Sequence, residues 1–517
     1  MSERPDLREA LERRARTRDE ARPKAVERRH AAGRRTAREN IADLLDPDSF
    51  VEYGGLAIAA QTARRELREL IERTPADGLV AGTGRVNGEL FGDRAACAVL
   101  SYDYTVLAGT QGTIGHRKKD RLFELIERMR LPTVFFAEGG GGRPGDTDVA
   151  VVSALETRAF ALWARLSGVV PRIAIVSGPC FAGNAAIAGC SDVIVATGDA
   201  SLGMGGPAMI EGGGLGRVEP GEVGPVDVQA PNGVIDVRAS DEAEAVAVSK
   251  RLLSYFQGET EGGEPPDQLP LRDLVPERRR RAYDVVPVVE RLADAGTVTL
   301  LREGFGRGIV TALARIDGHP LGIVANNPVH LAGAITSDGA DKAARFMQLC
   351  DAFGLPLVSL IDTPGMMVGP EAEATALVRH TSRLFVTGAA LRVPLVAVIL
   401  RKAYGLGAQA MAGGSLHEPH LTVGWPTAEL GPMGLEGAVR LGLRRELEAI
   451  ADEDAREERV RELTAAAHER AKALNAATLF ELDDVIDPAE TRRVIASTLA
   501  AAPSTSPPAA PRFVDTW

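Results

Sequence analysis

Phe135-Phe136-Ala137-Glu138-Gly139-Gly140-Gly141-Gly142-Arg143-Pro144-Gly145-Asp146 is the stretch on which the reading of this chain turns. Ahead of it, the apolar run from Leu131 to Ala137 predicts a buried parallel strand. Behind it, Ala150 to Leu166 predicts a helix. Glycine lacks a Cβ, so a run of four can enter φ > 0 and bring bare backbone N–H groups close to a ligand. Such groups facing a cleft hold developing negative charge. A flexible surface loop is the plain alternative for one glycine run taken alone.

A second copy of the arrangement decides between them. Arg85-Val86-Asn87-Gly88 is echoed by Arg315-Ile316-Asp317-Gly318, Leu131-Pro132-Thr133-Val134 by Leu355-Pro356-Leu357-Val358, and Val170-Pro171-Arg172-Ile173 by Val393-Pro394-Leu395-Val396. Pro132 and Pro356 are 224 residues apart, Pro171 and Pro394 223, so register is kept and both halves are expected to share one fold. Each half reads strand, glycine turn, helix, strand, glycine turn, helix. Right-handed crossovers then gather the turns along one edge of a parallel sheet. The turns are Glu138–Arg143 and Gly178–Gly183 in the first half, Asp362–Gly365 and Tyr404–Ala408 in the second.

At 517 residues the chain exceeds one ordinary core, and two domains are expected. The divisions read from composition are a helical arm over 1–45, a first domain over 46–257, a Gly/Pro/acidic linker over 258–282, a second domain over 283–500 and a flexible tail over 501–517. Val86-Asn87-Gly88 reads as a tight hairpin ahead of a strand from Ala95 to Tyr104. A net charge of −11 argues against a general nucleic-acid binder. The arm's arginines, interspersed with acids, read as a solvated helix face. No run is apolar enough to span a bilayer and no signal segment opens the chain, so the expectation is a cytoplasmic protein. Cys97, Cys180, Cys190 and Cys350 form no CxxC pair, the histidines no HxxxH or HExxH, and a metal site is not expected.

No GxxxxGK[ST], dinucleotide fingerprint or GxSxG elbow appears. Without a framed nucleophile, metal or general base, the residues suggest that a cofactor supplies the base while the protein supplies oxyanion stabilisation and positioning.

Gly33-Arg34-Arg35-Thr36-Ala37-Arg38-Glu39, Leu44-Leu45-Asp46-Pro47-Asp48-Ser49-Phe50-Val51-Glu52, Ser177-Gly178-Pro179-Cys180, Lys342-Ala343-Ala344-Arg345-Phe346, Cys350-Asp351-Ala352-Phe353, Arg401-Lys402-Ala403-Tyr404-Gly405 and Trp425-Pro426-Thr427-Ala428-Glu429 resemble the carboxyltransferase (β) subunits of biotin-dependent acyl-CoA carboxylases. The resemblance runs from about residue 33 to about residue 490. It implies an α/β protein of two tandem crotonase-type ββα-superhelix domains, with the active site at a subunit interface in a dimer-based homo-oligomer, usually a hexamer. It further implies transfer of a carboxyl group from carboxybiotin to the α-carbon of an acyl-CoA through a thioester enolate. On the family pattern, Gly140 and Gly141 match the turn that holds the thioester oxygen, and Leu406 and Gly407 the turn that holds the biotin ureido oxygen. Gly142, Arg143, Gly178, Ala182, Gly183, Tyr404, Gly405, Ala408 and Gln409 are the expected substrate-binding positions.

The chain departs from the family at both turns, Gly139-Gly140-Gly141-Gly142-Arg143 and Tyr404-Gly405-Leu406-Gly407, in the manner of fused multidomain carboxylases, and Gln409 stands where propionyl-preferring members often carry aspartate. No biotin-attachment motif or ATP-binding domain is seen. Carboxybiotin is therefore expected on a separate carrier served by a biotin carboxylase subunit. A biotin-dependent decarboxylase or transcarboxylase subunit and a non-catalytic scaffold paralogue are the alternatives. A crotonase-type hydratase lacks its paired glutamates. Arg143 reads either as a loop clamp or as a CoA contact, Arg117-Lys118-Lys119 as a solvated helix start or a phosphate contact, and Tyr404 as pocket wall or core. Glu138 and Asp362 read as acceptors for the N–H groups of their turns. Lys118 and Lys342 are repeat-equivalent, which suggests a structural role.

Overall fold

The computed structural model describes residues 4–149, 153, 155–502 and 512–517. The chain divides into two compact units: one reaches Gly258 and takes in a short C-terminal segment, and the other starts at Glu259. The proline- and alanine-rich stretch 503–511 lies outside the described residues.

The first unit holds a seven-stranded sheet in the order Val51–Glu52, Leu79–Arg85, Ala96–Tyr102, Thr133–Phe136, Arg172–Val176, Val193–Thr197, Val237–Ala239. The first three strands are antiparallel and the rest parallel. Strands covered on both faces read as continuous apolar runs, and Thr133–Phe136 is buried at every residue. Tyr102, Phe123, Phe135 and Trp163 cluster in its core. Beyond the sheet, Pro179–Phe181 pairs in parallel with Ser201–Gly203.

The second unit repeats the plan with an eight-stranded sheet that includes Ile309–Ile316, His319–Asn326, Leu357–Thr363, Leu395–Tyr404 and Leu421–Gly424. Thr133 faces Arg172 in the first unit and Leu357 faces Leu395 in the second, so the repeat offsets preserve strand register. Among the described residues no helix is long and apolar enough to cross a membrane.

Four expectations need correction. The helix expected over 150–166 is only Ala159–Arg165, with residues 150–152 and 154 outside the described residues. The hairpin at Asn87-Gly88 is open: a short helix, Gly88–Phe91, and a 3₁₀ turn, Gly92–Ala95, separate the strands. The Asp46 carboxylate holds the Gly88 N–H at 2.8 Å and draws the connection out. The tight version occurs in the second unit, where Asp317 and Gly318 both take positive φ, 51° and 78°, as a two-residue turn requires. The stretch 258–282 includes the helix Leu271–Leu274, and Leu271 and Val275 are buried in the second unit's core with Val289, Val398 and Trp425.

The fourth correction concerns the arm. Residues 5–44 form three helices, Pro5–Ala15, Pro23–Ala31 and Ala37–Leu44, the last capped by Thr36 with Glu39 in a capping box. Four of its arginines do not face solvent but meet carboxylates of the unit: Arg22 pairs with Asp103 at 2.8 Å, Arg38 with Glu52 at 2.9 Å, and Arg29 and Arg34 both with Glu138, each with one contact of 2.9 Å. Glu138 lies two residues beyond the strand Thr133–Phe136 and is 6% exposed, and its carboxylate binds guanidinium groups rather than the N–H groups of its own turn. Removing one partner of a buried ion pair strands the other charge, at a cost of about 3–5 kcal/mol. Glu138→Ala is expected to lower first-unit stability by roughly that amount, read from hydrogen exchange of strand Thr133–Phe136 in denaturant. A loss below about 1 kcal/mol would place the pair among the weak surface interactions.

Candidate active site

The first unit's glycine turn is shaped by two close backbone approaches. Gly139 takes φ 139°, and a Cβ there would collide with the Gly109 carbonyl and the Asn184 amide. Gly141 takes φ 83°, and its Cβ would stand 2.8 Å from the Ala182 Cβ. The turn thus packs edge to edge against the junction where Pro179–Phe181 ends and the helix Gly183–Gly189 begins. Ala182 makes that junction at φ 51°, ψ −121°, a conformation ordinarily left to glycine.

The second unit builds the same junction one repeat later. Strand Leu395–Tyr404 ends, Gly405 takes φ 56°, and the helix Gly405–Met411 begins. A Cβ on Gly407 would lie 2.7 Å from the Gly365 Cα, so two turns again meet backbone to backbone. With an offset of 223, Ala182, Gly183 and Asn184 correspond to Gly405, Leu406 and Gly407. Among the described residues no acceptor faces the N–H groups of Leu406 and Gly407, or those of Gly141 and Gly183. First-turn helical amides have no intrahelical partner and are ready to bind negative oxygen.

Two of the expected site residues are engaged within the protein. Gly140 donates its N–H to the Ala108 carbonyl at 3.2 Å. Arg143 has its side chain 2% exposed and bonds Thr110 Oγ1, Thr110 O and Asp77 O at 3.3, 3.0 and 3.2 Å, besides pairing with the Asp77 carboxylate. It clamps the turn from behind. Tyr404 proves to be core, 5% exposed, with its hydroxyl donating to Glu429 at 3.0 Å. Gly178 is buried under the Arg34 guanidinium, which fills the space a side chain would need. Gly142 is exposed with open space around it.

Gly405, Leu406, Ala408 and Gln409 line a cleft of about 950 Å³ in the second unit, together with His417 and Phe480. Leu406 is 61% exposed there.

The basic cluster 117–119 is neither a phosphate arm nor a solvated start, apart from exposed Arg117. Lys118 donates to the carbonyls of Ala76, at 2.9 Å, and Leu79. Its repeat partner Lys342 donates to Phe305 and Ile309 at 2.9 and 2.7 Å, a shared structural role. Burial lowers Lys118 to about 8 and Lys342 to about 7. Lys119 is wholly buried, donates to Tyr102 Oη and Gln111 Oε1 at 2.9 and 2.5 Å, and is lowered by burial to about 7.

The sequence reading missed Gln111 and Asn184, and it placed Lys119 at a solvated helix start or against phosphate rather than in the interior. The Gln111 backbone pairs with the glycine turn, its N–H to Gly141 O at 2.7 Å and its carbonyl accepting from Arg143 N at 2.9 Å. Its side chain donates to Asn184 Oδ1 at 2.8 Å, and Asn184 donates in turn to the carbonyls of Gly109 and Glu138 at 3.2 and 3.0 Å. The signal for Asn184 was present: the 223-residue offset carries Leu406 and Gly407 onto Gly183, already an expected position, and Asn184, not onto Gly140 and Gly141.

Residues 28–512 match the model of the carboxyl transferase domain. The chain belongs to the carboxyl transferase family. This carboxyltransferase is 35% identical over 484 residues to the methylmalonyl-CoA carboxyltransferase 12S subunit of Propionibacterium freudenreichii subsp. shermanii, covering 92% of this chain and 90% of that one. It is 34% identical over 443 residues to the biotin-dependent long chain acyl-coenzyme A carboxylase beta4 subunit of Mycobacterium tuberculosis, covering 82% and 80%. Among solved structures, a single-chain, multi-domain long-chain acyl-CoA carboxylase superposes at TM-score 0.92 with 57% identity, covering 96% of this chain; the carboxyltransferase spans about half, 49%, of that chain. The transcarboxylase 12S hexamer with methylmalonyl-coenzyme A bound superposes at 0.84 with 31% identity over 100% of this chain and 99% of that one. The fold is the crotonase-type α/β fold in two tandem copies that the resemblance implied.

Gly140 and Gly141 separate the two readings of the first turn. A Cβ on Gly140 meets nothing nearer than 3.4 Å, and its N–H is already spent on Ala108, so Gly140→Ala is expected to keep full transfer activity. Gly141→Ala drives the turn off Ala182 and is expected to cost about 10²–10³ in kcat, the loss typical of one oxyanion donor. Steady-state kinetics of the two variants side by side checks this; equal losses would restore Gly140 to the site.

Proposed function

We propose that this carboxyltransferase moves a carboxyl group between carboxybiotin and the α-carbon of an acyl-CoA. The observation that carries the reading is a strand-to-helix junction in each unit, Gly183 at the one and its repeat equivalent Leu406 with Gly407 at the other, with Gly141 packed beside the first, and among the described residues none of these amides has an acceptor. A thioester enolate and a urea oxygen both need such donors. Biotin, when bound, supplies the carboxyl group and the base that takes the α-proton. The chain's own task is to receive charge: the Gly141 and Gly183 N–H groups take the thioester oxygen, and those of Leu406 and Gly407 take the ureido oxygen. Gly405, Ala408 and Gln409 shape the cleft wall around the second pair. Because such donors are fixed before the reaction begins, no reorganisation accompanies the charge as it forms. The paired free amides in both units also speak against a purely scaffolding role.

The substrate we assign is a long-chain acyl-CoA. Its support is the 57% identity to the long-chain carboxylase, against 31–35% to the methylmalonyl-CoA enzymes. The biotin arrives on a carrier module outside these residues, loaded by a biotin carboxylase. The protein works as a dimer-based homo-oligomer, a hexamer like the 12S relative, in the cytoplasm, consistent with its four free cysteines.

The test is a CoA-ester panel with biotinylated carrier and, in reverse, decarboxylation of the carboxylated esters with free biotin. Long-chain esters are expected to exceed propionyl-CoA by about tenfold or more in kcat/KM, about 1.4 kcal/mol of transition-state preference. Preference for propionyl-CoA with efficient transfer between two CoA esters would favour the transcarboxylase reading. No transfer in either direction would overturn the assignment.

A further inference from the structure

The repeat exposes an asymmetry between the two junctions. Ile335 is the counterpart of Gln111 and makes the same backbone bonds, its N–H to Gly365 O at 3.1 Å and its carbonyl accepting from Met367 N at 2.8 Å. Beyond the backbone the two units differ. The 224-residue offset sets Ala343 against Lys119, and the 223-residue offset sets Gly407 against Asn184. The second unit therefore holds its two turns together by direct backbone packing of Gly407 on Gly365. The first holds them through a buried chain of side chains, Lys119 to Gln111 to Asn184.

Gln111 joins both halves of the first junction. Its backbone grips the segment from Gly141 to Arg143, and its side-chain nitrogen lies 2.7 Å from where a Gly183 Cβ would be. The amide could sit in two orientations with nearly the same shape. Two neighbours remove that freedom: Lys119 Nζ donates to the Oε1 end, and Asn184, its Nδ2 held by the Gly109 and Glu138 carbonyls, turns Oδ1 to accept from Nε2. We infer that Lys119 is a positioning residue of the first junction, acting through Gln111 to set the spacing between the Gly141 and Gly183 amides that receive the thioester oxygen. The inference rests on the function proposed above.

A lysine kept only to fill space would be an unusual choice at this place. It is wholly buried, and among the described residues no carboxylate pairs with it; there its polar and ring contacts are Tyr102 Oη, Gln111 Oε1 and the faces of Tyr102 and Phe160 at 5.6 and 5.9 Å. The titratable groups around it are Tyr102, Asp77 with its partner Arg143, and His116 and Asp120 on its own helix. Burying an ammonium on neutral acceptors is costly. Ala343 shows that the fold at the equivalent position does without one.

The experiment compares Lys119→Met, Gln111→Met and the double variant with the wild-type enzyme, using the best ester of the panel and free biotin. Each single variant is expected to lower kcat about tenfold to a hundredfold, less than the loss of a direct donor. KM for biotin, set by the other unit's junction, is expected to stay within about twofold, and the double variant to fall no further than the singles, as for residues acting in one chain. Unchanged kcat in Lys119→Met would overturn the inference. So would a parallel worsening of kcat, both KM values and melting temperature, which marks a purely structural role. Should Lys119→Met fail to fold, Gln111→Met, which keeps the lysine–Tyr102 bond, decides by the same outcomes. A wild-type enzyme inactive on every ester overturns the functional assignment and this inference together, whereas active wild type with unaffected variants overturns the inference alone.

Discussion

Each unit hangs its glycine turn from one buried carboxylate. Glu138 in the first unit and Asp362 in the second are repeat equivalents at the ends of equivalent strands, 6% and 0% exposed. Asp362 is answered locally: Arg401 Nε donates to it at 3.0 Å and the Lys402 N–H at 3.2 Å. The position equivalent to Arg401 in the first unit is Gly178, which has no side chain to offer. The N-terminal arm supplies the missing cation, since the Arg34 guanidinium lies over Gly178 and bonds Glu138 at 2.9 Å, with Arg29 completing the pair. A buried carboxylate without such partners would be expelled or protonated. The arm is therefore part of the first junction's foundation, although its sequence is that of an exposed helix.

From this anchor the rest follows by contact. Glu138 receives arginines through its carboxylate, and its carbonyl accepts from Asn184, the residue that also binds the Gln111 side chain. Gln111 holds Gly141 and Arg143, and Arg143 is clamped onto Asp77 and Thr110. The junction's amides thus sit on a layer in which every polar group named here has a partner. Satisfied networks of this kind hold donors in place at low cost, whereas a half-satisfied one would let them drift.

The second junction reaches similar geometry with fewer parts. Gly365, Gly405 and Gly407 let backbones touch, and Thr363 Oγ1 bonds only within its own turn, to the Gly365 N–H and carbonyl at 3.1 Å each. Duplication of one fold has left two solutions to the same steric problem, one built from glycine and one from amide side chains. The difference fits two ligands of unlike size and charge distribution, a thioester enolate and a cyclic urea.

Much of this was legible in the residues. Apolar runs of four to eight residues, proline-led strand starts and the 223–224-residue repeat determined the parallel sheets, the duplication and the location of the turns, because these depend on local period and local backbone freedom. The motifs determined the family. Tertiary structure alone decided which glycine amides are free: Gly140 and Gly141 look alike in sequence, and only the position of the Ala108 carbonyl, some 30 residues earlier, separates them. It also decided that Arg29, Arg34, Arg143, Lys118 and Lys119 face inward. A cation's environment is set by which carboxylate or carbonyl the fold brings to it, and that pairing leaves no trace in the spacing of residues along the chain.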